Sequence, residues 1–405
     1  MTIVRHIFVY IVDRPEDPFL GLKNLLLQQR LADHIISEVR LPAEGYEIVR
    51  DVEYTSRKFV RFLFYKQIFR RLDRSLQEAL KQSALDEVTV VYLSDEGVWA
   101  EFLRFFRRRH SDLRFIAVNV QHGFEYLVAT RYLNVRRRLN FLFQTLWGYP
   151  AFGMGSFGGS GSGVFDIYLA YDKIVCDFIY RRTHDLTFAC PSTIKFGLFE
   201  RYKSVKTSMI DNGQAGQEIM FALQPPAARV SSSALLKSNV RRVFQELTPL
   251  ARILEEKYGK RMVLRMHPSM DRTEVMEEYR QSGIHNYADV EGHLNLADQL
   301  ARCSVVMSHD STVLWEAYVL GLVPVSVQGI CFRGHLPFPH EVIDVSVDHA
   351  ARLQSVLSWE TAKKYSREIS NDAFDWESII MGFVGKRSAV EMALRHTGSE
   401  LHSVG

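Results

Sequence analysis

The chain has 405 residues, of which 47% are hydrophobic and 24% are charged. This length allows two domains that each bury a core, and this composition excludes an intrinsically disordered protein. The formal net charge of +3 is small for the size, so charge does not indicate nucleic acid as a partner. No CxxC pair is present, which argues against a disulfide framework or zinc site and favours a reducing compartment. The four cysteines are Cys176, Cys190, Cys303 and Cys331.

The start of the chain and its hydropathy indicate where the protein resides. Met1 leads directly into a predicted strand, without the basic segment and cleavage site of a signal peptide. No apolar run reaches the ~20 residues that a transmembrane helix needs. We therefore expect a cytoplasmic protein that can still be peripheral on the inner face of the cytoplasmic membrane.

The first half alternates short apolar runs with helical patterns, which is typical of βαβ units and parallel sheets. In chain order the patterns predict a strand at 6–12, helices at 19–39 and 55–80, a strand at 89–93, a helix at 98–109, and strands at 114–120, 166–170 and 186–189. We assign residues 1–200 to one doubly wound α/β domain.

A basic and aromatic stretch interrupts this domain. Nine arginines fall between positions 104 and 138, and such a patch can contact anionic lipid headgroups or a polyanionic substrate. Aromatic and aliphatic residues follow, and a run rich in glycine and serine ends the stretch near position 163. This order suits an interfacial helix with a loop behind it. The alternatives are a solvated helix face for the arginines and a buried helix for the aromatic residues.

The second half repeats the α/β pattern after a polar linker predicted at 202–216. The patterns predict a strand at 218–224, a helix at 233–257, strands at 261–266 and 304–307, a helix at 313–320 and a strand at 323–327. We assign 217–375 to a second α/β domain and 376–405 to a helical tail. Two doubly wound domains in succession suggest a cleft, with ligands beyond the carboxyl ends of the strands.

Two polar motifs follow predicted strands of the first domain. Ser94-Asp95-Glu96-Gly97 puts an acid on a strand end, where it could act as general base on an acceptor hydroxyl. The alternative is that Asp95 is a helix N-cap. Gln121-His122-Gly123 also ends a strand and could face an acceptor sugar or a donor carboxylate, or simply form a turn.

Two further motifs follow strands of the second domain. His267, held by Pro268, could donate a hydrogen bond to a phosphate and stabilise charge as the phosphate departs. The segment from Ser308 to Thr312 opens a helix, where backbone N–H groups and the hydroxyls of Ser311 and Thr312 could bind phosphate. The alternatives are a histidine in an ordinary turn and a Ser311 that only caps its helix. Glu316 lies one turn into the helix and could reach ribose hydroxyls.

The sequence contains no signature that demands a metal ion or a resident cofactor. His309 and Asp310 have no partners at metal-ligand spacing. An exposed DxD dyad and the GxxxxGK[ST] phosphate loop are both absent from the sequence. We expect metal-independent chemistry without a cofactor.

Three motifs occur in order along the chain: an acid pair with glycine, a His-Pro pair, and a Ser-Thr pair at a helix start. This ordered set resembles the motifs of the bacterial sialyltransferases. The resemblance is closest to the capsular polysialyltransferase and lipooligosaccharide sialyltransferase groups. A wider pattern is also similar to capsular Kdo transferases and to CDP-glycerol transferases of teichoic acid synthesis. That pattern comprises His267, Pro268, Ser311, Glu316, Gly321 and Pro324.

The resemblance implies an α/β fold of the GT-B class, with two Rossmann-like domains facing across a cleft. It implies an N-terminal acceptor domain, a C-terminal donor domain, a CMP-sugar donor, a glycan or glycolipid acceptor, and metal-free inversion at the anomeric carbon. Asp95 would then be the general base, His267 would contact the departing CMP phosphate, and Ser311 and Thr312 would hold it. Two features depart from the family pattern. Glu96, as a second acid, leaves open which carboxylate is the base, and the unusual His309-Asp310 before the Ser-Thr pair could alter donor preference.

Two alternatives remain at the level of sequence. One is a Kdo transferase or a CDP-polyol phosphotransferase on the same scaffold. The other is a non-catalytic subunit of capsule assembly that docks through residues 131–147.

Overall fold

The computed structural model describes residues 4–11, 17–28, 37–41, 58–81, 88–94, 97–111, 113, 115–121, 130–147, 165–171, 173–174, 176–177, 187–189, 195–213, 215–223, 233–267, 272–281, 288–289, 295–309, 311–328, 336, 338–344 and 349–356. These residues divide into two compact units, one within Met1–Lys195 and the other within Phe196–Ile369. The predicted helical tail 376–405 lies outside the described residues.

The first unit is built on a six-stranded parallel sheet in the order β2-β1-β3-β4-β5-β6. Its strands are β1 (Val4–Ile11), β2 (Ser37–Leu41), β3 (Val88–Ser94), β4 (Phe115–Val120), β5 (Ile167–Ala170) and β6 (Thr187–Ala189). Its helices are α1 (Asp17–Gln28), α2 (Lys58–Leu80), α3 (Gly97–Arg109) and α4 (Thr130–Trp147). In this doubly wound order the strand sequence reverses between β1 and β3, and ligands bind at such a reversal.

The central strands of the first unit are buried on both faces, as parallel strands covered by helices are. Val91 and Leu93 of β3 pack in an apolar cluster with Phe69 of α2 and with Phe102 and Phe106 of α3. Their neighbour in β3, Tyr92, points to the opposite face and is also buried, with its ring stacked on Phe8 at 4.6 Å between centroids. This double burial explains why β3 appears in the sequence as a continuous apolar run.

The second unit contains another six-stranded parallel sheet, in the order β12-β11-β10-β7-β8-β9. Its strands are β7 (Glu218–Leu223), β8 (Arg261–Met266), β9 (Ala288–Asp289), β10 (Cys303–Ser308), β11 (Val323–Gln328) and β12 (Glu341–Asp344). Its helices are α5 (Phe196–Asp211), α6 (Ser233–Tyr258), α7 (Arg272–Gln281), α8 (Leu296–Arg302), α9 (Val313–Val319) and α10 (His349–Val356). Counted within the unit, this is the 3-2-1-4-5-6 order of dinucleotide-binding folds, with its reversal between β7 and β10.

The predicted fold class is confirmed: the chain is α/β, with two Rossmann-like domains in succession, as the GT-B class has. Two of the predicted elements are wrong. The helix predicted over 19–39 is α1 followed by the edge strand β2, and the linker predicted at 202–216 is mostly α5, which belongs to the second unit. Among the helices of the described segments, none has both the length and the apolar character needed to cross a membrane.

An ion pair on the surface of the second unit joins α5 to α8. The Arg201 guanidinium donates to both carboxylate oxygens of Asp298, at 2.8 and 2.6 Å. This hydrogen bond is the main cause that holds the pKa of Asp298 below its usual value. The pair anchors α8, which supplies a residue to the candidate site described below.

The Arg201–Asp298 pair makes a prediction about acid stability. Because the pKa of Asp298 is lower in the folded state, its contribution is present above the unfolded value of about 4 and is lost as pH falls through the folded value. We expect Asp298→Asn to flatten the acid side of the stability curve, measured as urea unfolding at a series of pH values below about 5. The control is Asp211→Asn, at the exposed end of α5, the helix that contains Arg201. If stability fell with pH as steeply in Asp298→Asn as in the wild type, the Arg201–Asp298 pair would not contribute to acid stability.

Candidate functional site

The carboxyl edge of the second sheet contains its strand-order reversal, where ligands of this fold class bind. At this point β10 lies directly beside β7, with Ser308 in register with Ala222. The Ser308 hydroxyl donates to the Ala222 carbonyl oxygen at 2.7 Å, and both residues are buried. Ser308 therefore ties the two strands together at the reversal, which is a structural role for a residue predicted to bind phosphate.

A row of polar and small side chains crosses four strands at this edge. Arg265 of β8 is in register with Ala222, Ala222 with Ser308, and Ser308 with Ser326 of β11. The preceding row, made of Leu264, Phe221, Met307 and Val325, belongs to the main apolar cluster of the unit. Because successive strand residues point to opposite faces, the polar row lies on the other face of the sheet. The row therefore places its polar side chains on the face opposite the main apolar cluster.

His267 extends the same edge by one residue beyond β8. Its backbone N–H donates to the Leu223 carbonyl oxygen at 3.1 Å, so the pairing with β7 continues past the end of the strand. Its side chain is half-buried. One strand separates β8 from β10, so the ends of these two strands lie about 10 Å apart, twice the strand spacing. His267 directly follows β8, and Ser308 is the last residue of β10. The structure thus brings these two sequence-predicted residues to one edge, while Pro268 lies outside the described residues.

The turn before α9 uses most of its donors locally. The Val313 N–H donates to Ser311 Oγ at 3.2 Å, and the N–H groups of residues 314–316 donate to the carbonyl oxygens of Ser311 and Thr312. Ser311 therefore acts as the local cap, which was the structural alternative in the sequence analysis. Thr312 is half-buried and its side chain caps no backbone N–H. Its hydroxyl is the better candidate for a ligand contact.

His309 is a buried, neutral component of this edge. Its ring packs edge-on against Phe221, with 5.6 Å between centroids, and its carbonyl oxygen accepts a hydrogen bond from Ser326 Oγ at 3.4 Å. Burial lowers the pKa of His309 to about 4. The ring is uncharged near neutral pH, so the unusual histidine before the Ser-Thr pair packs the strand end and adds no positive charge there.

A polar cluster that the sequence analysis missed lies on the same face as the polar row. Arg265 Nη1 donates to Gln299 Oε1 of α8 at 2.5 Å. Burial lowers the pKa of Arg265, while the negative charge of Glu316 on α9 acts in the opposite direction. Gln299 and Glu316 are both almost fully buried. The cluster fixes one guanidinium at the carboxyl edge of the sheet, two residues before His267.

This cluster changes the role expected of Glu316. With 1% of its surface exposed, the carboxylate lies inside the unit and interacts with Arg265. Burial favours a role in holding the guanidinium over direct contact with ribose hydroxyls. Arg265 precedes the His-Pro pair in the sequence, and a cation two positions before a strand-end histidine is the signal that could have identified it.

The bond between Arg265 and Gln299 makes a prediction about stability. Gln299→Leu removes a buried acceptor and leaves the Arg265 donor to be satisfied elsewhere, so we expect unfolding to cost about 1–3 kcal/mol less. Urea unfolding measures the change. Gln281→Leu, on the exposed end of α7, is the control and should shift stability by no more than about 0.5 kcal/mol. Equal effects of the two substitutions would argue against a special role for Gln299.

Two of the six residues in the wider sequence pattern have an architectural explanation. Gly321 has a φ of 74°, and α9 ends on it with bonds from Gly321 N–H to Tyr318 O and from Leu322 N–H to Ala317 O. This left-handed C-terminal motif requires a glycine in place of a residue with a side chain. Pro324 is buried in β11, in register with Val306. Both residues shape the connection from α9 to β11 and do not report on the substrate.

The candidates of the first unit follow the ends of two neighbouring strands. Ser94 ends β3 in register with Val120 of β4, and Gly97 begins α3. Asp95, Glu96, His122 and Gly123 lie outside the described residues. Gln121 is buried, and its Oε1 accepts the Tyr171 N–H at 2.8 Å, which joins the ends of β4 and β5. This contact favours a structural role for Gln121 over contact with a sugar.

No family model and no curated protein matches the chain. Among solved structures it is similar to a UDP-N-acetylglucosamine 2-epimerase from Rickettsia bellii, at 11% identity and a TM-score of 0.49, over 97% of this chain and 99% of that one. It is similar to a UDP-GlcNAc 2-epimerase from Neisseria meningitidis bound to UDP-GlcNAc, at 12% identity and a TM-score of 0.46, over 81% of this chain and 83% of that one. A third similar structure is Acinetobacter baumannii MurG, at 9% identity and a TM-score of 0.43, over 89% of this chain and 94% of that one. Likeness at this level carries no argument about function.

Proposed function

We propose that the chain is a glycosyltransferase that transfers an acidic sugar, sialic acid or a related nonulosonic acid, from a CMP-activated donor to a glycan or glycolipid acceptor. The observation on which this depends is the polar edge at the strand-order reversal of the second sheet. Arg265 is the penultimate residue of β8, His267 directly follows β8, and Thr312 directly precedes α9. The ordered motifs of the sequence support the choice of a CMP-sugar.

The nucleotide monophosphate is assigned to this polar edge. A guanidinium offers five N–H donors in a fixed plane, and its bond to Gln299 orients that plane. His267 lies two residues further along the same strand direction, and the Thr312 hydroxyl adds a third donor from the start of α9. Positive charge and donors held in place before the reaction stabilise the negative charge that develops as the phosphate departs.

The proposed reaction needs one base and one leaving group. Asp95 accepts the proton of the acceptor hydroxyl, the acceptor oxygen forms a bond to C2 of the sugar, and the bond from C2 to the phosphate oxygen breaks. CMP leaves with the electron pair of that bond, stabilised by Arg265 and His267. Because a phosphate is already a good leaving group, alignment and electrostatic stabilisation supply most of the rate. Inversion at C2 and independence of metal ions are part of the proposal.

A Kdo transferase or a CDP-polyol phosphotransferase is the second candidate. The observation in its favour is that His267 and Ser311 also belong to the pattern of those enzymes. Gly321 and Pro324 have structural explanations and do not discriminate. The nucleotide distinguishes the CDP-polyol enzyme, since its donor has one more phosphate than a CMP-sugar. A Kdo transferase also uses a CMP-sugar, and turnover of CMP-Kdo against CMP-sialic acid distinguishes it.

Thermal unfolding with CMP, CDP, UDP and GDP tests the proposal. A ligand that binds only the folded chain stabilises it by about 2.7 kcal/mol at a hundred times its Kd. We expect CMP to raise the Tm most, by about 5 °C or more under those conditions. The largest shift with CDP would favour the polyol donor, and the largest shift with UDP or GDP, or none with any nucleotide, would overturn the proposal.

A matched pair of variants assigns the shift to the polar edge. Thr312→Val should reduce the shift given by CMP because it removes a donor to the phosphate. Thr248→Val is the control, since Thr248 is a half-buried threonine of the same unit whose hydroxyl donates only within α6, to Phe244 O at 2.9 Å. Equal shifts in the two variants would remove Thr312 from the site.

The acceptor and the cellular location are the remaining parts of the proposal. We expect a cytoplasmic protein acting at the inner face of the cytoplasmic membrane, where it would modify a capsule or lipopolysaccharide glycan. Retention of the protein in the membrane fraction of its native cell, and its release by salt, would support this location. A protein found only in the soluble fraction would contradict it.

A further inference from the structure

Helix α4 of the first unit presents an apolar stripe to solvent. Val135, Leu139, Leu142 and Leu146 follow one another at spacings of four, three and four residues, which places them on one face of the helix. Their exposed fractions range from 38% to 59%. A continuous stripe of this kind on a single protein surface normally marks a contact with another molecule or with lipid.

Aromatic residues extend this stripe at the end of the helix. Phe143 stacks on Trp147 at 4.8 Å between ring centroids, and Trp147 is more than half exposed. Phe141 is equally exposed, and the Arg108 guanidinium of α3 lies over its ring at 4.7 Å. Tryptophan with neighbouring arginine is typical of side chains at a membrane–water interface.

The charges of helix α4 itself have one sign. Helix α4 contains four arginines and no acidic residue. The last turn of α3 adds three more, of which Arg107 pairs with Asp166 and Arg109 with Asp73. Arg108 and Arg138 are exposed beside the stripe. The surface is therefore apolar along its centre and positive at its margin.

We propose that α4 docks the first unit onto an anionic phospholipid bilayer, lying in the plane of the headgroups with its apolar stripe toward the acyl chains. A helix of 18 residues is about 27 Å long, so the stripe spans several headgroups. Like charge disfavours a second copy of the chain as the occupant, because two such surfaces would bring arginine against arginine. The proposal is independent of the donor site in the second unit.

Vesicle sedimentation with matched double variants tests the docking surface. Leu142→Ser with Leu146→Ser removes two side chains of the stripe, which are 49% and 59% exposed. Leu27→Ser with Ile210→Ser is the control, because these residues are 48% and 60% exposed on other helices. The full chain is sedimented with vesicles of phosphatidylcholine containing about one third phosphatidylglycerol, and with pure phosphatidylcholine.

We expect the wild type and the control to bind the anionic vesicles, and the stripe variant to bind at least about tenfold more weakly. Binding of the wild type should be weaker to pure phosphatidylcholine, which has no net negative charge to attract the arginines. It should also be weaker in about 1 M salt, which screens that attraction. Circular dichroism and the Tm shift given by CMP should be the same in all variants. Equal binding of the two double variants, no binding of the wild type, or dissociation of a dimer by the stripe variant would overturn the proposal.

Discussion

We expect His267→Ala to lower kcat by about 10²–10⁴-fold, the range for loss of a positioned donor or acid–base group. The backbone bond from His267 N–H to Leu223 O does not involve the side chain, so the edge pairing of β8 with β7 remains in the variant. In the proposed reaction, the substitution removes the imidazole that donates to the departing phosphate. The measurement is CMP release from CMP-sialic acid and from CMP-Kdo with an acceptor glycan present.

His340→Ala is the matched control for this substitution. His340 is also half-buried in the second unit, near Phe338 O at 2.8 Å, and lies away from the strand ends of β7, β8 and β10. We expect it to retain turnover within a few-fold of wild type. Similar activity in the two variants would show that His267 has no part in the reaction.

Asp95→Asn is expected to lower kcat by about the same 10²–10⁴-fold, because the amide keeps the size of the side chain and cannot accept the acceptor proton. Asp95 directly follows Ser94, the last residue of β3, which borders the strand-order reversal of the first sheet. Binding of CMP to the second unit should be unchanged, since the substitution affects the acceptor step. Turnover and calorimetric titration with CMP separate the two effects.

Glu96→Gln is the control that decides between the two adjacent carboxylates. We expect it to retain most of the activity, because only one acid of the pair acts as the base. An inactive Glu96→Gln with an active Asp95→Asn would transfer the role to Glu96. Near-wild-type turnover in both would end the general-base assignment for this motif.

The central strands were predicted well because a strand that is buried on both faces consists of a continuous apolar run, which is recognisable in the sequence. Strand β8 has the same limits in the pattern and in the structure, Arg261–Met266, and β3 and β10 differ by one residue at each end. The edge strand β2 was missed because its sequence, SEVRL, alternates polar and apolar residues next to a helical pattern. Helix α5 was missed because its second half has the polar composition of a linker.

The candidate site could be predicted only in part. Polar residues after apolar strands identified His267 and the turn at Thr312, since strand ends are recognisable locally. The strand order is set by tertiary pairing, so the sequence did not show that β8, β7 and β10 are neighbours. Contacts between distant segments could not be predicted for the same reason. An example is the bond from Arg265 to Gln299, which lies 34 positions away in the sequence.

A crystal structure of the protein with CMP tests the central claim most directly. The account predicts CMP at the carboxyl ends of β7, β8 and β10, with phosphate oxygens within about 3.2 Å of the His267 ring and the Thr312 hydroxyl. CMP bound in the first unit or away from this edge, or no CMP bound at saturating concentration, would contradict it.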